Sequence, residues 1–315
     1  MSEYVRKINE VIKEIKKVVV GKDEIIVKVL TAILAKGHIL IEDIPGVGKT
    51  TLALAVSKAM DLEYHRMQFT PDVLPSDVVG FHVYEKDGQE KKFNPGSIFC
   101  NMFLADEINR TSSKTQSALL EVMEEGKVTV DAITREVPKP FVVIATQNPL
   151  GSAGTQMLPE SQLDRFMVRL SMGYPDTQSE IEILKGRINT NPMDMVQKVI
   201  SCEDLLVLLQ MVDQIYVHDA VYHYIATLVL RTREHELITL GVSPRGTLAL
   251  TQMAKAYALL SGRTYVIPDD IRMIFKDVTM HRMVLRPKAR VNNITLEMVI
   301  DQILQMVPAP RLIVK

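Results

Sequence analysis

Asp43-Ile44-Pro45-Gly46-Val47-Gly48-Lys49-Thr50 is the stretch on which the reading of this chain turns. It has the layout of a phosphate-binding loop with one departure: the first position of the pattern asks for Gly and here holds Asp43. Gly46 and Gly48 let the backbone curl so that its N–H groups point at phosphate oxygens. Lys49 can reach the terminal phosphates, and Thr50 can hold Mg²⁺. The flanks agree. His38-Ile39-Leu40-Ile41-Glu42 reads as a short buried strand, and Thr51 to Met60 reads as a helix with Leu52, Val56 and Ala59 spaced to face a sheet. Strand, loop and helix bring the helix N-terminus under the phosphates, where the backbone dipole favours negative charge. The phosphate-binding set is therefore Pro45, Gly46, Val47, Gly48, Lys49, Thr50 and Thr51.

The chain has 315 residues, too many for one ordinary core, which points to two domains. Apolar residues make up 47% and charged residues 24%, the balance of a globular protein in water. A formal net charge of −1 argues against a general nucleic-acid-binding surface and leaves room only for a local basic groove. Cys100 and Cys202 lie far apart and form neither a disulfide framework nor a zinc pattern, which points to a reducing cytoplasm. Cys100 precedes an apolar strand and is expected as a buried thiol. Met1-Ser2-Glu3-Tyr4 does not open a signal peptide. No uncharged apolar run approaches the roughly 18 residues that span a membrane.

Residues 4 to 20 carry helical spacing through Val5, Ile8, Val11, Ile12, Ile15 and Val19, with Gly21 as the stop. A second helix, about 23 to 36, leads into the first strand. Four further apolar runs read as buried parallel strands: Tyr64 to Phe69, Met102 to Ala105, Phe141 to Ala145 and Phe166 to Ser171. A helix starting near Ser112 or Ser113 carries Ala118, Leu119, Val122 and Met123 on one face and ends at Gly126. Val83 to Phe93 reads as a hairpin turning at Asp87-Gly88, and Lys127 to Val137 as a second; a plain loop is the alternative for each. From Asp176 onward the pattern is almost wholly helical, near 176–188, 203–215, 218–235, 244–261, 268–276 and 295–306. The domain boundary is expected at about 174.

Met102-Phe103-Leu104-Ala105-Asp106-Glu107 is an apolar strand ending in two acids. Asp106 can position the Mg²⁺–water cluster, and Glu107 can polarise a water for attack on the γ-phosphate. In Phe141 to Pro149 the strand should end beside Asp106 and leave Asn148 near that water; the alternative is an ordinary turn Asn before Pro. Arg165 is a candidate arginine finger, supplied in cis or by a neighbouring subunit, unless Asp164 pairs with it; Arg169 is a second candidate. In Gly241-Val242-Ser243-Pro244-Arg245-Gly246, Ser243 can cap a helix and Pro244 suits its first turn. Arg245 would then face outward, able to contact the γ-phosphate or simply solvated. Adenine contacts are expected at the Val20-Gly21 turn and the helical region.

Together these segments resemble the AAA+ ATPases, and within them the MoxR family. The resemblance runs through Ile41 to Thr50, where Asp43 is a familiar departure, and through Gln68-Phe69-Thr70-Pro71-Asp72-Val73-Leu74-Pro75-Ser76-Asp77. It continues through Phe103 to Arg110 and Lys114 to Glu121, then Ala145 to Pro149, then Leu158-Pro159-Glu160 with Gln162 to Phe166. It implies an α/β fold: a P-loop NTPase αβα sandwich with a parallel five-stranded sheet of AAA+ type, residues 1–174, then an all-α lid, residues 175–315. It implies ATP/ADP and Mg²⁺ as ligands, with Thr50 and Asp106 at the metal. It makes Asn148 the sensor 1 residue, Arg165 the finger and Arg245 the sensor 2 residue. The hairpins near 80–95 and 127–138 become the helix-2 and pre-sensor 1 inserts, facing a ring pore or a partner. It further implies homo-hexameric rings and chaperone-like remodelling, often of proteins with a von Willebrand factor A domain, which would come from another polypeptide. The competing readings on the same module are the ATPase subunit of a metal-chelatase complex and a nucleic-acid motor. A GTPase would need an Asn-Lys-x-Asp element, which the sequence lacks.

Overall fold

The computed structural model describes residues 2–84, 91–148, 157–186 and 192–311. Two helices come first, α1 (Ser2–Lys16) and α2 (Asp23–Leu34). Next come β1 (Ile39–Glu42), α3 (Lys49–Ala59), β2 (Tyr64–Gln68), α4 (Pro75–Val79), β3 (Phe81–Tyr84) and β4 (Lys91–Asn94). They are followed by β5 (Met102–Asp106), α5 (Ser113–Glu125), β6 (Lys127–Val130), β7 (Ile133–Glu136), β8 (Val142–Gln147), α6 (Glu160–Leu163) and β9 (Val168–Leu170). The remainder is α7 (Thr177–Gly186), α8 (Cys202–Asp213), α9 (Asp219–Glu234), β10 (Ile238–Leu240), α10 (Pro244–Leu260), α11 (Pro268–Thr279), β11 (Val284–Leu285), α12 (Pro287–Val291) and α13 (Leu296–Met306).

Five parallel strands form the central sheet in the order β2-β5-β8-β1-β9. Alternation along each strand supplies two cores. Ile39, Ile41, Leu104 and Ile144 face α1, α2 and α3, and that apolar cluster runs on into Leu208, Leu250 and Phe275 of the C-terminal helices. Leu40, Phe103, Ala105 and Val143 face the other way, against Leu119, Val122 and Met123 of α5. Covering both faces is what allows β5 and β8 to be apolar and buried along their whole length. Leu52, Val56 and Ala59 are fully buried on the sheet side of α3, as their spacing predicts.

Several sequence expectations are corrected. The first helix stops at Lys16 rather than near 20, because Val18-Val19-Val20 is a β-branched run that resists helix and forms a turn closed by Gly21. Tyr64 to Gln68 is not a buried strand but an edge strand, partly exposed along its length. The C-terminal region is not helical throughout, since β10 and β11 pair antiparallel. Both hairpins form, β3 with β4 and β6 with β7. Asp131 and Ala132 take φ of 50° and 64° at the second turn, the left-handed pair that a two-residue hairpin loop requires. The Asp87-Gly88 turn lies outside the described residues. His82 and Lys91 both reach Asp131, at 2.9 and 2.7 Å, which docks one hairpin on the other. Cys100 is buried as expected, and burial pushes its thiol up to about 12.

His38 stands where β1 enters the sheet. Its Nδ1 accepts from the Val143 N–H at 3.0 Å, and its Nε2 donates to the Met123 carbonyl at 2.9 Å, so both ring nitrogens serve a neutral imidazole. Burial pushes its pKa down to about 4. An unfolded chain takes up this proton near 6.5, so between these values the unfolded state binds more protons and stability falls as pH falls. Urea unfolding of the wild type should lose about 3 kcal/mol through this group between pH 6.5 and 4. A His38→Asn variant, less stable at neutral pH, should lack that component of the slope.

Candidate active site

The loop after β1 is built as the phosphate-binding reading requires. Gly46 and Gly48 hold φ of +85° and +95°, a region L side chains rarely adopt. Helix α3 begins at Lys49, directly behind them. Lys49 Nζ donates to the carbonyls of Asp43 and Ile44 at 2.8 and 3.1 Å. Burial pulls its pKa below the ordinary lysine value, against the opposing charges of Asp43, Asp106 and Glu107.

The departure at the loop's first position has a structural use. Asp43 Oδ2 accepts from the N–H groups of Met172 (2.6 Å) and Gly173 (2.7 Å) and from the Ser171 hydroxyl (3.0 Å). Its Oδ1 accepts from the Ile44 N–H at 2.8 Å. Burial opposes ionisation, but these donors outweigh it and hold the carboxyl below its usual range. Glycine would leave the segment after β9 untied from the loop.

Across a cleft of about 380 Å³, Lys49, Thr50 and Thr51 face Asp106, Glu107 and Asn148. The predicted residues of three separate segments thus meet because β1, β5 and β8 are neighbours and all end on this side. Asp106 Oδ1 accepts from Thr146 Oγ1 at 2.6 Å, and the Glu107 N–H donates to the same hydroxyl at 2.9 Å. Glu107 sits at φ 57°, a conformation that costs a non-glycine residue about 1 kcal/mol or more. Its Oε2 accepts from Gln68 Nε2 and pairs with Arg110 Nε, both at 3.0 Å. Thr50 and Asp106 offer a hydroxyl and a carboxylate to one cleft, a hard oxygen set that suits Mg²⁺. Among the described residues no group of three or more His, Cys, Asp or Glu could hold a metal alone. Mg²⁺ needs none, since it takes phosphate oxygens and water beside one carboxylate.

A second cleft of about 340 Å³ continues from the loop and shares Pro45, Gly46, Gly48 and Thr51 with the first. Val47 and Val20 line it, facing Met172, Tyr174, Ile183 and Leu184. These apolar walls suit a planar base. Gly21 does not line this cleft; it brings the turn against α7, where a Cβ would lie 2.0 Å from Ser179 Oγ.

Arg165 and Arg245 do not line either cleft of their own chain. Both guanidiniums converge on Glu124 near the end of α5, Arg165 at 3.2 Å and Arg245 on the other carboxylate oxygen. Asp164 does not pair with Arg165. It pairs with the buried Arg282 at 2.8 Å and accepts from the hydroxyl of Ser243, which caps α10 as predicted. Arg169 stays inside the sheet, 3.5 Å from Glu42.

The sequence reading missed Arg66, Gln68, Glu124 and Arg282. Arg66, Glu124 and Arg282 stand in no motif, and Gln68 was read only as the start of the segment running to Asp77. A polar alternation, Tyr64-His65-Arg66-Met67-Gln68, was the one available signal that β2 is an edge strand with side chains turned to the cleft.

Comparison with known proteins agrees with this geometry. The profile of the "ATPase family associated with various cellular activities (AAA)" matches residues 38–168, and that of the "AAA lid domain" matches residues 230–312. An uncharacterised Bacillus subtilis protein, YeaC, is 46% identical over 303 residues, covering 96% of this chain and 95% of its own. Chaperone MoxR1 of Mycobacterium tuberculosis is 38% identical over 320 residues, covering 99% of this chain and 84% of its own. A crystal structure from Cytophaga hutchinsonii, described provisionally as an ATPase, superposes with a TM-score of 0.89 at 38% identity, covering 98% of this chain and 96% of that one.

Asp43 offers a direct check. Asp43→Gly restores the commoner loop sequence yet strands the donors of residues 171–173, so it should lower stability by about 2–5 kcal/mol. Calorimetry should show weaker ADP binding together with the lower melting temperature.

Proposed function

The chain belongs to the MoxR family of AAA+ ATPases, and we propose that it hydrolyses ATP to ADP and phosphate within a homo-hexameric ring, driving the remodelling or activation of partner proteins. The observation that carries this reading is the separation of two half-sites on one subunit. The loop and the Asp106–Glu107 ledge share a cleft, whereas Arg165 and Arg245 stand together elsewhere, on Glu124. Two half-sites of this kind complete each other between adjacent copies in a head-to-tail ring.

Within the cleft the roles follow from chemistry. The N–H groups of Gly46 to Thr50 and the Lys49 ammonium bind the β- and γ-phosphates. Thr50 and Asp106 would hold Mg²⁺. Mg²⁺ held there would supply positive charge to offset that of the phosphates. Glu107 accepts the proton of the attacking water, and Asn148 orients that water without competing for its proton. A neighbouring subunit's Arg165 and Arg245 then meet the charge that develops on the γ-phosphate. Val20 and its facing side chains take the adenine.

The division into a nucleotide domain (1–174) and a lid (175–315) is part of this proposal; the connection between β9 and α7 spans residue 174. The docked hairpins present Phe81, Val83 and Ile133 at 40–48% exposure, apolar side chains that suit contact with a protein chain. The client class that the resemblance implies is a protein with a von Willebrand factor A domain. Cys100 and Cys202 are free thiols, in keeping with a reducing cytoplasm. Among the described residues no helix is long and apolar enough to cross a membrane.

Glu107→Gln should bind ATP yet turn it over at least about 100-fold more slowly, because the amide cannot take the proton. Wild-type turnover would remove Glu107 from this role. A pull-down from the native cell with that variant should capture the client. Arg165→Ala should lose about 1,000-fold alone and be partly rescued in mixed rings with Lys49→Ala subunits, each supplying the half-site that the other lacks. Absence of rescue would count against donation between subunits.

A further inference from the structure

Asp106 has both carboxylate oxygens engaged, by partners of opposite character. Oδ1 accepts from Thr146 Oγ1, an uncharged group fully buried in β8. Oδ2 accepts from two N–H groups of Arg66, Nη2 at 2.7 Å and Nε at 3.2 Å. Arg66 comes from the edge strand β2, and its side chain is 47% exposed. Arg66 lines the same cleft as Lys49, Thr50 and Glu107. A guanidinium on a flexible stem therefore occupies the carboxylate oxygen that Thr146 leaves free. A metal-bound water that approaches Asp106 from the cleft needs the same lone pairs.

On the reading that this cleft binds magnesium and nucleotide, we propose that Arg66 is an internal counter-ion for Asp106. It keeps the buried carboxylate paired and aimed before loading, and it has to yield Oδ2 when the site is loaded. Arg66 is thus a positioning residue that sets how strongly Mg²⁺ favours nucleotide binding. The guanidinium half of the pair is half exposed and can turn to water, so parting it from the carboxylate that the metal then takes over costs little, about fivefold in an equilibrium constant. That is weak enough for exchange and strong enough to measure. The charge is the essential part: lysine keeps it and loses the fork, whereas methionine keeps the length and loses the charge.

The test is the affinity for a fluorescent ADP analogue in saturating Mg²⁺ and in EDTA. The ratio of the two dissociation constants measures the coupling between metal and nucleotide. Arg66→Met should raise that coupling about fivefold over the wild type, and Arg66→Lys should fall between them. In an Asp106→Asn background, Arg66→Met should produce no further rise. A merely structural role would weaken binding in both media and leave the ratio unmoved, which would overturn the proposal, as would a lower ratio or a rise that persists without Asp106. A wild type whose ADP binding ignores Mg²⁺ would instead overturn the underlying reading of the cleft, so the two failures are distinct.

Discussion

The site depends on parallel strand pairing. A sheet buried on both faces must satisfy its backbone within the ladder, and all five strands here run the same way. The ends of β1, β5 and β8 therefore fall side by side, in registers that set Glu42 opposite Gln147 and Gln68 opposite Asp106. The phosphate loop follows β1, the acidic ledge closes β5, and Asn148 follows β8. No long-range contact between functional side chains is needed to bring them together, because the ladder has already done so. Ligand crevices in open α/β sheets sit outside such strand ends for this reason.

The burial of their partners sorts the acids around this cleft into fixed and exchangeable ones. Asp43 is enclosed and held by main-chain N–H groups, and Asp164 by the buried Arg282. Removing one partner of a buried charge pair typically costs about 3–5 kcal/mol, so such contacts act as scaffold. Asp106, Glu107 and Glu124 are paired instead with half-exposed cations, Arg66, Arg110, Arg165 and Arg245. Pairs of that kind contribute about 0–1 kcal/mol and yield readily to a stronger anion or cation. The acids and arginines to which the proposed function assigns nucleotide chemistry belong to the second group.

Asp164 also ties the two outlying arginines into one unit. It immediately precedes Arg165, and it binds Ser243, the cap of the helix on which Arg245 stands. Arg282 closes the arrangement from the lid side by donating to the carbonyls of Asp164, Phe166 and Met167. The segments that carry the two arginines are thus tied to each other although 79 residues separate Asp164 from Ser243. The apolar cluster that runs from the sheet through α2 into α10 and α11 makes the lid continuous with the same body.

Much of this was legible in the chain itself. The loop at 43–50, the apolar strand closing on Asp106-Glu107 and the helical spacing after 176 each carry their signal within a few residues, since period, glycine and terminal acids are local properties. Asp43 could be seen as a departure but not as the anchor of residues 171–173, because its partners lie 128 to 130 residues away. β2 passed for a buried strand because its polar alternation only hints at an edge, and the sheet order β2-β5-β8-β1-β9 is what decides it. For the same reason the pairing of Arg66 with Asp106, and of Arg165 and Arg245 with a single glutamate, belonged to the tertiary structure alone. Sequence determined which chemical groups this protein possesses; the packing of strands and helices decided which of them meet, since a charge takes as its partner whatever the fold brings within reach.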